Sequence, residues 1–264
     1  ILVEAGSERL IFDVGRGALQ RLSQDSIPFQ SITGVFFTHL HSDHVVGLPD
    51  LWLTGWLLGH RSTPLELRGP PGTADMARHL TEAFEFDVRI RSANGRSKAS
   101  GAVLTAEDIH EGVVLTRNGV RVTAFNVDHG RIKPALGYRV DYAGHSVVLS
   151  GDTRPSPNLI AHARGTDLLV YEVAAASPAD VRDPRTGLRE LIGLHSTPAE
   201  AAIVFAAVAP RLAVYSHILL FSGIPADSLV PLTRARYAGP LVVGADRMTF
   251  HVGRDVRVEA APEH

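Results

Sequence analysis

The 264-residue chain contains no cysteine. That absence excludes disulfides, thiolate metal ligands and a cysteine nucleophile together, and leaves the compartment open. Lysine is confined to Lys98 and Lys133, so arginine carries the positive charge. With a formal net charge of −2 there is no overall basic excess to advertise a nucleic-acid-binding surface. No uninterrupted apolar run reaches the length of a membrane span, and no membrane partner is expected. An initiator methionine is missing as well. The chain opens on Ile1-Leu2-Val3, so a native start upstream is expected, together with any targeting segment. The compartment stays open, with the cytoplasm slightly favoured. The sequence shows neither an internal repeat nor a low-complexity stretch.

What the chain does have is Thr38-His39-Leu40-His41-Ser42-Asp43-His44, directly after a short apolar run that reads as a buried strand. Imidazole nitrogen and carboxylate oxygen are ligands that a borderline divalent metal such as zinc accepts. If the loop is extended, His39 and His41 point the same way, while Asp43 and His44 fall where the next helix begins. This splits the four into two adjacent half-sites. A histidine-rich surface loop is the alternative, but His-x-His-x-Asp-His is an unusual pattern for one.

Strands are expected over residues 1–3, 9–12, 35–38, 65–67, 121–127, 137–142, 146–149, 168–173, 212–215 and 241–243. Residues 248–252 and 256–259 are expected to close a sheet. Helices are expected over 18–23, 48–58 and 74–84, the second carrying Trp52 and Trp56 one turn apart, a spacing that reads as core. Residues 92–101 are the most polar stretch and read as a mobile flap or a plain solvent loop; residues 180–187 read as a charged loop. Thr197-Pro198-Ala199-Glu200 has the capping-box pattern and launches an alanine-rich helix ending near Pro210. Strands cluster in each half with helices between them. The expectation is two sheets covered by helices, in one domain spanning 1–264.

Further ligands should then appear where apolar runs stop. His129 follows residues 123–127, Asp152 follows 147–149 in Ser150-Gly151-Asp152-Thr153, and His217 follows 212–215. Each alone reads as a polar loop residue. Jointly they supply what the first cluster lacks: His39, His41 and His129 can hold one metal, Asp43, His44 and His217 the other. Asp152, having two oxygens, can bridge them.

This set resembles the metallo-β-lactamase superfamily, and within it the ribonuclease Z and arylsulfatase-like hydrolases. Asp13, the 38–44 cluster, His129, Asp152 and His217 match successive family motifs. Gly69-Pro70-Pro71-Gly72, Gly137-Tyr138-Arg139, His195-Ser196-Thr197 and Tyr171-Glu172-Val173-Ala174 resemble features of the ribonuclease Z branch. The resemblance implies an α/β fold, a four-layer αββα sandwich of two mixed sheets flanked by helices, and two Zn2+ ions. Mn2+, Fe2+ or Co2+ would be accepted by the same ligands. It also implies His195 as proton donor oriented by Glu172, and Asp13 as a partner of a ligand histidine. Asp43, Glu172 and His195 are the residues expected to act in catalysis, Asp43 also as a ligand. Relatives often form homodimers.

Several departures shape the expected substrate. After Gly137-Tyr138-Arg139 the chain turns at Ala143-Gly144 straight into the next strand, so the long tRNA-gripping arm of ribonuclease Z is absent. Arg16 and Tyr171 replace the family's usual acid and histidine. The presence of Asp152 and the lack of cysteine argue against antibiotic hydrolysis. The reading is therefore a dinuclear hydrolase of a small phosphodiester, sulfate ester or activated aromatic compound, nucleic acid being a less expected substrate. A ribonuclease Z-like nuclease, a hydrolytic dehalogenase and a non-catalytic metal-binding sensor are the alternatives. Arg131 and Arg154 are candidates for anion contact or for ordinary surface pairing. His60, His79, His110, His145, His162, His251 and His264 lie outside any motif and are expected to be structural or exposed, with at most one near the cleft.

Overall fold

The computed structural model describes residues 1–93, 95 and 97–262, so His264 lies outside the described residues. The chain divides into two compact units, Ile1–His110 and Glu111–His264.

In the first unit, β1 (Leu2–Ala5), β2 (Glu8–Phe12), β3 (Gly34–Phe36), β4 (Leu65–Gly69) and β5 (Leu104–Asp108) form one sheet in chain order. The β1–β2 pair is antiparallel and the remaining pairs are parallel. Burial explains the pattern. β4 alternates, with Leu65 and Leu67 buried and Glu66 and Arg68 half-exposed, whereas the interior strand β3 is buried at every residue. Ile11, Val35, Phe37, Leu67, Leu48, Leu51 and Trp52 join the sheet to the helix Leu48–Leu57 in one apolar core. The Gly69–Gly72 turn delivers the chain, through Gly72 at φ 104°, to the helix Thr73–Ala83. The Asp108 carboxylate, at the end of β5, accepts the exposed amides of Gly72 (3.1 Å) and Ala74 (2.8 Å) at that helix's start.

The polar stretch 92–101 is tied down at its end. Trp56 Nε1 donates to Lys98 O (2.8 Å) and Trp52 Nε1 to Ala102 O (3.0 Å). Arg61 Nη2 donates to Trp52 O (2.7 Å) and Gly101 O (3.1 Å). Both tryptophans are core residues, and each also spends its polar edge on this clamp. Arg61 is 3% exposed and burial lowers its pKa to about 10, while its Nε and Nη1 find no hydrogen-bond partner among the described residues.

In the second unit, β6 (Gly112–Arg117), β7 (Val120–Asn126), β8 (Leu136–Tyr142) and β9 (His145–Leu149) form an antiparallel meander. Parallel strands β10 (Leu168–Ala175), β11 (Leu212–Leu220) and β12 (Leu241–Val243) extend it beyond β9. Central β10 is buried at all its positions, as a parallel strand covered on both faces must be. Ala143 (φ 50°) and Gly144 (φ 81°) make the tight β8–β9 turn with both residues left-handed, the geometry that suits a two-residue hairpin. The helix Pro198–Val208 starts in a full capping box between Thr197 and Glu200 and buries Ala201, Ala202, Val204, Phe205 and Val208.

Two mixed sheets with helices on them are the expected fold class, and element identities largely agree. The structure also departs from expectation. Residues 180–187 are not a loop throughout: helices Pro178–Arg182 and Leu188–Ile192 flank a short turn, the first capped by Ser177. Among the described residues β13 (Thr249–Val252) and β14 (Val256–Glu259) pair only with each other, leaving both large sheets without them. Helices Glu85–Ala93 and Pro157–Ala163 were not expected, nor were β5 and β6. No helix among the described residues is long and apolar enough to cross a membrane.

Truncating Arg61 to Ala should destabilise the fold by about 2–4 kcal/mol, because two buried carbonyls lose their donor and the stem leaves a void. Arg61→Met should cost clearly less, since it refills the volume and removes a buried charge. Urea unfolding of both variants checks the order; an Arg61→Ala as stable as wild type would dissolve the clamp.

Candidate metal centre

In the first unit the candidate ligands follow β3; in the second, His129 and Asp152 follow β7 and β9, while Glu172 and His217 lie within β10 and β11. In the first unit the chain leaves β3 and reaches His39, fully buried, then His41, which is extended (φ −63°, ψ 148°) at the mouth of the helix Ser42–Val45. Asp43 and His44 lie on that short helix. The His39 ring centroid is 4.5 Å from that of His41 and 4.1 Å from that of His44.

Asp13 organises this loop. It sits just past β2 in the left-handed region at φ 59°, a strained conformation for a non-glycine residue. Its Oδ1 accepts from Thr38 N (2.8 Å), and its Oδ2 accepts from Thr38 Oγ1 (2.8 Å) and His44 Nδ1 (2.8 Å). Because Thr38 donates its proton to Asp13, its hydroxyl oxygen is available to accept from His39 Nδ1 at 3.1 Å. Both imidazoles are thereby held as Nδ1–H tautomers, with lone pairs on Nε2. That is the state in which a histidine binds a metal. Glycine is required alongside: a Cβ on Gly15 would stand 2.6 Å from Asp43 O. Asp43 is 63% exposed at its side chain, with Oδ2 3.5 Å from His44 Nε2.

In the second unit, strand register lines up the groups. Val170 pairs with Leu149, so Glu172 lies level with Gly151, and Glu172 itself pairs with Ser216. The next aligned pair is Val173 with Ile218, which leaves His217 as the extra residue of a β-bulge. His217 has φ 45°, and the bulge re-aims a side chain within β11, which runs on to Leu220. His217 is therefore a bulged strand residue rather than the first residue after a strand.

Asp152, 3% exposed, follows β9 on the turn through Gly151 (φ 60°). Its Oδ1 lies 3.5 Å from His217 Nδ1, and its Oδ2 4.0 Å from both His129 Nε2 and His195 Nδ1. These separations exceed a good hydrogen bond. Those to His217 and His129 are of the order left when one cation takes a bond of about 2 Å from each group. His129 Nδ1 donates to Leu194 O (2.9 Å), which again leaves Nε2 as the acceptor end. Within this unit the ligand atoms of His129, Asp152 and His195 lie within 4.8 Å of one another, as do those of Glu172, His195 and His217. The donor set and tautomers of both units fit divalent ions.

Glu172 is 2% exposed, and its Oε1 accepts from Thr153 N (3.0 Å), Ser196 N (3.1 Å) and His195 Nδ1 (3.2 Å). Burial, and then the neighbouring Asp152 charge, push its carboxyl well above the usual range.

Arg154 and Arg131 are both engaged. Arg154 Nη2 donates to Asp128 Oδ1 and Oδ2 at 2.7 Å each, and Arg131 pairs with Glu190 at 3.0 Å. The Asp128–Arg154 pair, reinforced by Arg154 N donating to Asp128 O (2.7 Å), joins the loop before His129 to the loop after Asp152. This clamp was not expected, although opposite charges beside two candidate ligands are visible in the sequence. Of the motif-free histidines, His79, His145 and His251 lie near Glu82, Asp167 and Glu259, while His162 stacks on Phe125.

Residues 1–218 match a family model described as the beta-lactamase superfamily domain. Among curated proteins, the chain is 31% identical over 258 residues to a ribonuclease Z of Mycolicibacterium gilvum, covering 96% of this chain and 90% of that protein. It is 33% identical to a ribonuclease Z of a Mycobacterium species (strain KMS), over 83% of this chain and 76% of the relative. Among solved structures, the metallo-beta-lactamase fold protein YhfI from Bacillus subtilis superposes with TM-score 0.70 at 18% identity, covering 93% and 88% of the two chains. The short form of human tRNase Z gives 0.67 at 20% identity, covering 99% and 92%.

Asp13→Asn would place an N–H donor where three donors already converge. Divalent-ion affinity, read by competition with a chromophoric chelator, should fall about 10–100-fold; an unaltered affinity would remove Asp13 from the centre.

Proposed function

The chain belongs to the β-lactamase superfamily and is a metal-dependent hydrolase of that fold; from this premise we propose that it is a dinuclear phosphodiesterase of ribonuclease Z type, with RNA as its substrate class. The observation that carries the reading is the buried Glu172–His195 pair beside the Asp152 turn. A departing ribose oxygen needs a proton at that point, whereas storing or sensing a metal does not require one.

In this reading His39, His41 and His129 would hold one ion and Asp43, His44 and His217 the other, with the Asp152 carboxylate available to both. Zinc is the first choice on ligand chemistry. Such ions, when bound, lower the pKa of water towards neutrality and polarise a phosphoryl group. The protein's own residues do the rest. Asp13 and Thr38 fix the tautomers of His44 and His39, and Leu194 O fixes that of His129. Glu172 holds His195 by Nδ1, so Nε2 is the atom that can deliver a proton to the leaving oxygen.

RNA is preferred to the small ester expected from sequence because curated relatives named ribonuclease Z match 96% and 83% of the chain. One observation favours a small phosphodiester as second reading. The β8–β9 connection is only the Ala143-Gly144 turn, at the place where a tRNA-gripping arm would follow. Its force is reduced by the M. gilvum relative, which this chain covers over 90% of its length.

The test is turnover by the zinc- or manganese-loaded full chain, with a precursor tRNA and bis(p-nitrophenyl) phosphate compared side by side. Precursor cleavage at a kcat/KM well above that for the small diester is expected; hydrolysis of the small diester alone would move the assignment to the second reading. His195→Ala should lower turnover by about 10²–10⁴-fold with bound metal unchanged. A variant with wild-type turnover would remove His195 as the proton donor.

A further inference from the structure

Consecutive residues of a strand point to opposite faces. Tyr171 and Glu172 of β10 nevertheless both reach the turn at residues 195–196. Glu172 takes the Ser196 amide at 3.1 Å; the Tyr171 hydroxyl lies 2.8 Å from Ser196 Oγ. Ser196 Oγ in turn lies 2.8 Å from Thr153 O. A carbonyl oxygen only accepts, so the serine proton goes to Thr153 O. The serine oxygen is then left to accept, and the tyrosine must donate. The direction is set throughout: Tyr171 O–H to Ser196 Oγ, Ser196 O–H to Thr153 O. Tyr171 and Ser196 are each 0% exposed, and the Tyr171 ring packs edge-on against Phe205 at 5.5 Å. Burial also keeps the phenol protonated, as a donor must be.

This relay ends on the residue that follows Asp152. Thr153 is gripped at both backbone polar groups, its N–H by Glu172 Oε1 (3.0 Å) and its C=O by Ser196 Oγ. The turn carrying Asp152 is thereby joined to the turn carrying His195 through two separate bridges. One is the Glu172 carboxylate; the other is the pair of hydroxyls.

We propose that Tyr171 is a positioning residue which, through Ser196, holds the Asp152–Thr153 turn in register with His195. The inference rests on the reading of Asp152 as a metal ligand. It assigns work to a side chain that touches neither substrate nor metal, at the position where a histidine is usual in the family resembled.

Four proteins are compared: wild type, Tyr171→Phe, Ser196→Ala and the double variant. Each is stripped of metal and its zinc affinity measured by chelator competition. Phe keeps the ring packing and deletes only the donor. Each single change is expected to weaken zinc binding about tenfold, with the double variant no weaker than either single, as members of one relay behave. Tyr215→Phe is the structural control, since that buried hydroxyl bonds Thr233 Oγ1 at 2.7 Å and does not touch either turn; it should leave affinity unchanged. Wild-type affinity in Tyr171→Phe, or losses that add in the double variant, would overturn the relay. If wild type itself takes up no zinc, the functional reading fails, and the relay is judged on hydrogen exchange at the Thr153 amide. Roughly tenfold faster exchange in Tyr171→Phe supports it, and an unchanged rate overturns it.

Discussion

A carboxylate buried to 2% exposure would not be tolerated in a core unless its surroundings replaced the water it lost, and Glu172 is where the second unit meets that constraint. Three N–H groups converge on one of its oxygens, two from backbone amides and one from an imidazole. Each amide belongs to a turn beside a different element: Thr153 lies past β9, and Ser196 precedes the helix Pro198–Val208. The unfavourable burial and the geometry of the turns are thus two aspects of one arrangement. Remove the carboxylate and both turns lose a partner; loosen either turn and a buried carboxylate loses part of its solvation. This interdependence makes Glu172 a structural centre whatever it does to a substrate.

The first unit solves a similar problem with Asp13, but at the price of backbone strain rather than deep burial. At φ 59° the residue brings its carboxylate onto the Thr38 amide, the Thr38 hydroxyl and His44 at once. Here the strain is repaid by three hydrogen bonds, which charge assistance strengthens. The same trade recurs at His217, whose φ of 45° belongs to a bulge rather than to a turn. In each unit a non-glycine residue in the left-handed region lies within or beside the candidate ligand set, as expected where precise placement of a side chain outweighs local conformational preference.

Much of this was legible in the residues because ligand chemistry leaves compact signatures. The 38–44 cluster, the Gly151-Asp152 turn and the Thr197–Glu200 capping box are local, and local patterns survive without knowledge of the fold. What was not legible depends on register or distance. No rule of periodicity places a bulge opposite Glu172, so β11 was expected to stop before His217. The hold of Trp52, Trp56 and Arg61 on residues 98–102 spans some forty positions, and a polar segment gives no sign that its carbonyls are claimed by buried donors. The helices Pro178–Arg182 and Leu188–Ile192 are short and charged, with no buried residue to produce a periodic stripe.

The arginines bear on what the site can bind. With only two lysines the chain carries its positive charge mainly on arginine, and Arg131 and Arg154 lie beside the second unit's candidate ligands. Arg154 is committed to Asp128 through two bonds from one nitrogen, and that pair braces the His129 and Asp152 loops. Using it to grip a phosphate would loosen the loops the metal ligands stand on. Arg131 differs: its side chain is 76% exposed and its contact with Glu190 is a single surface ion pair. Such a pair contributes little to stability, so exchanging Glu190 for a phosphate would cost little. The physical balance therefore assigns Arg154 to the architecture, while Arg131, on the loop just past His129, is held by one exposed contact only.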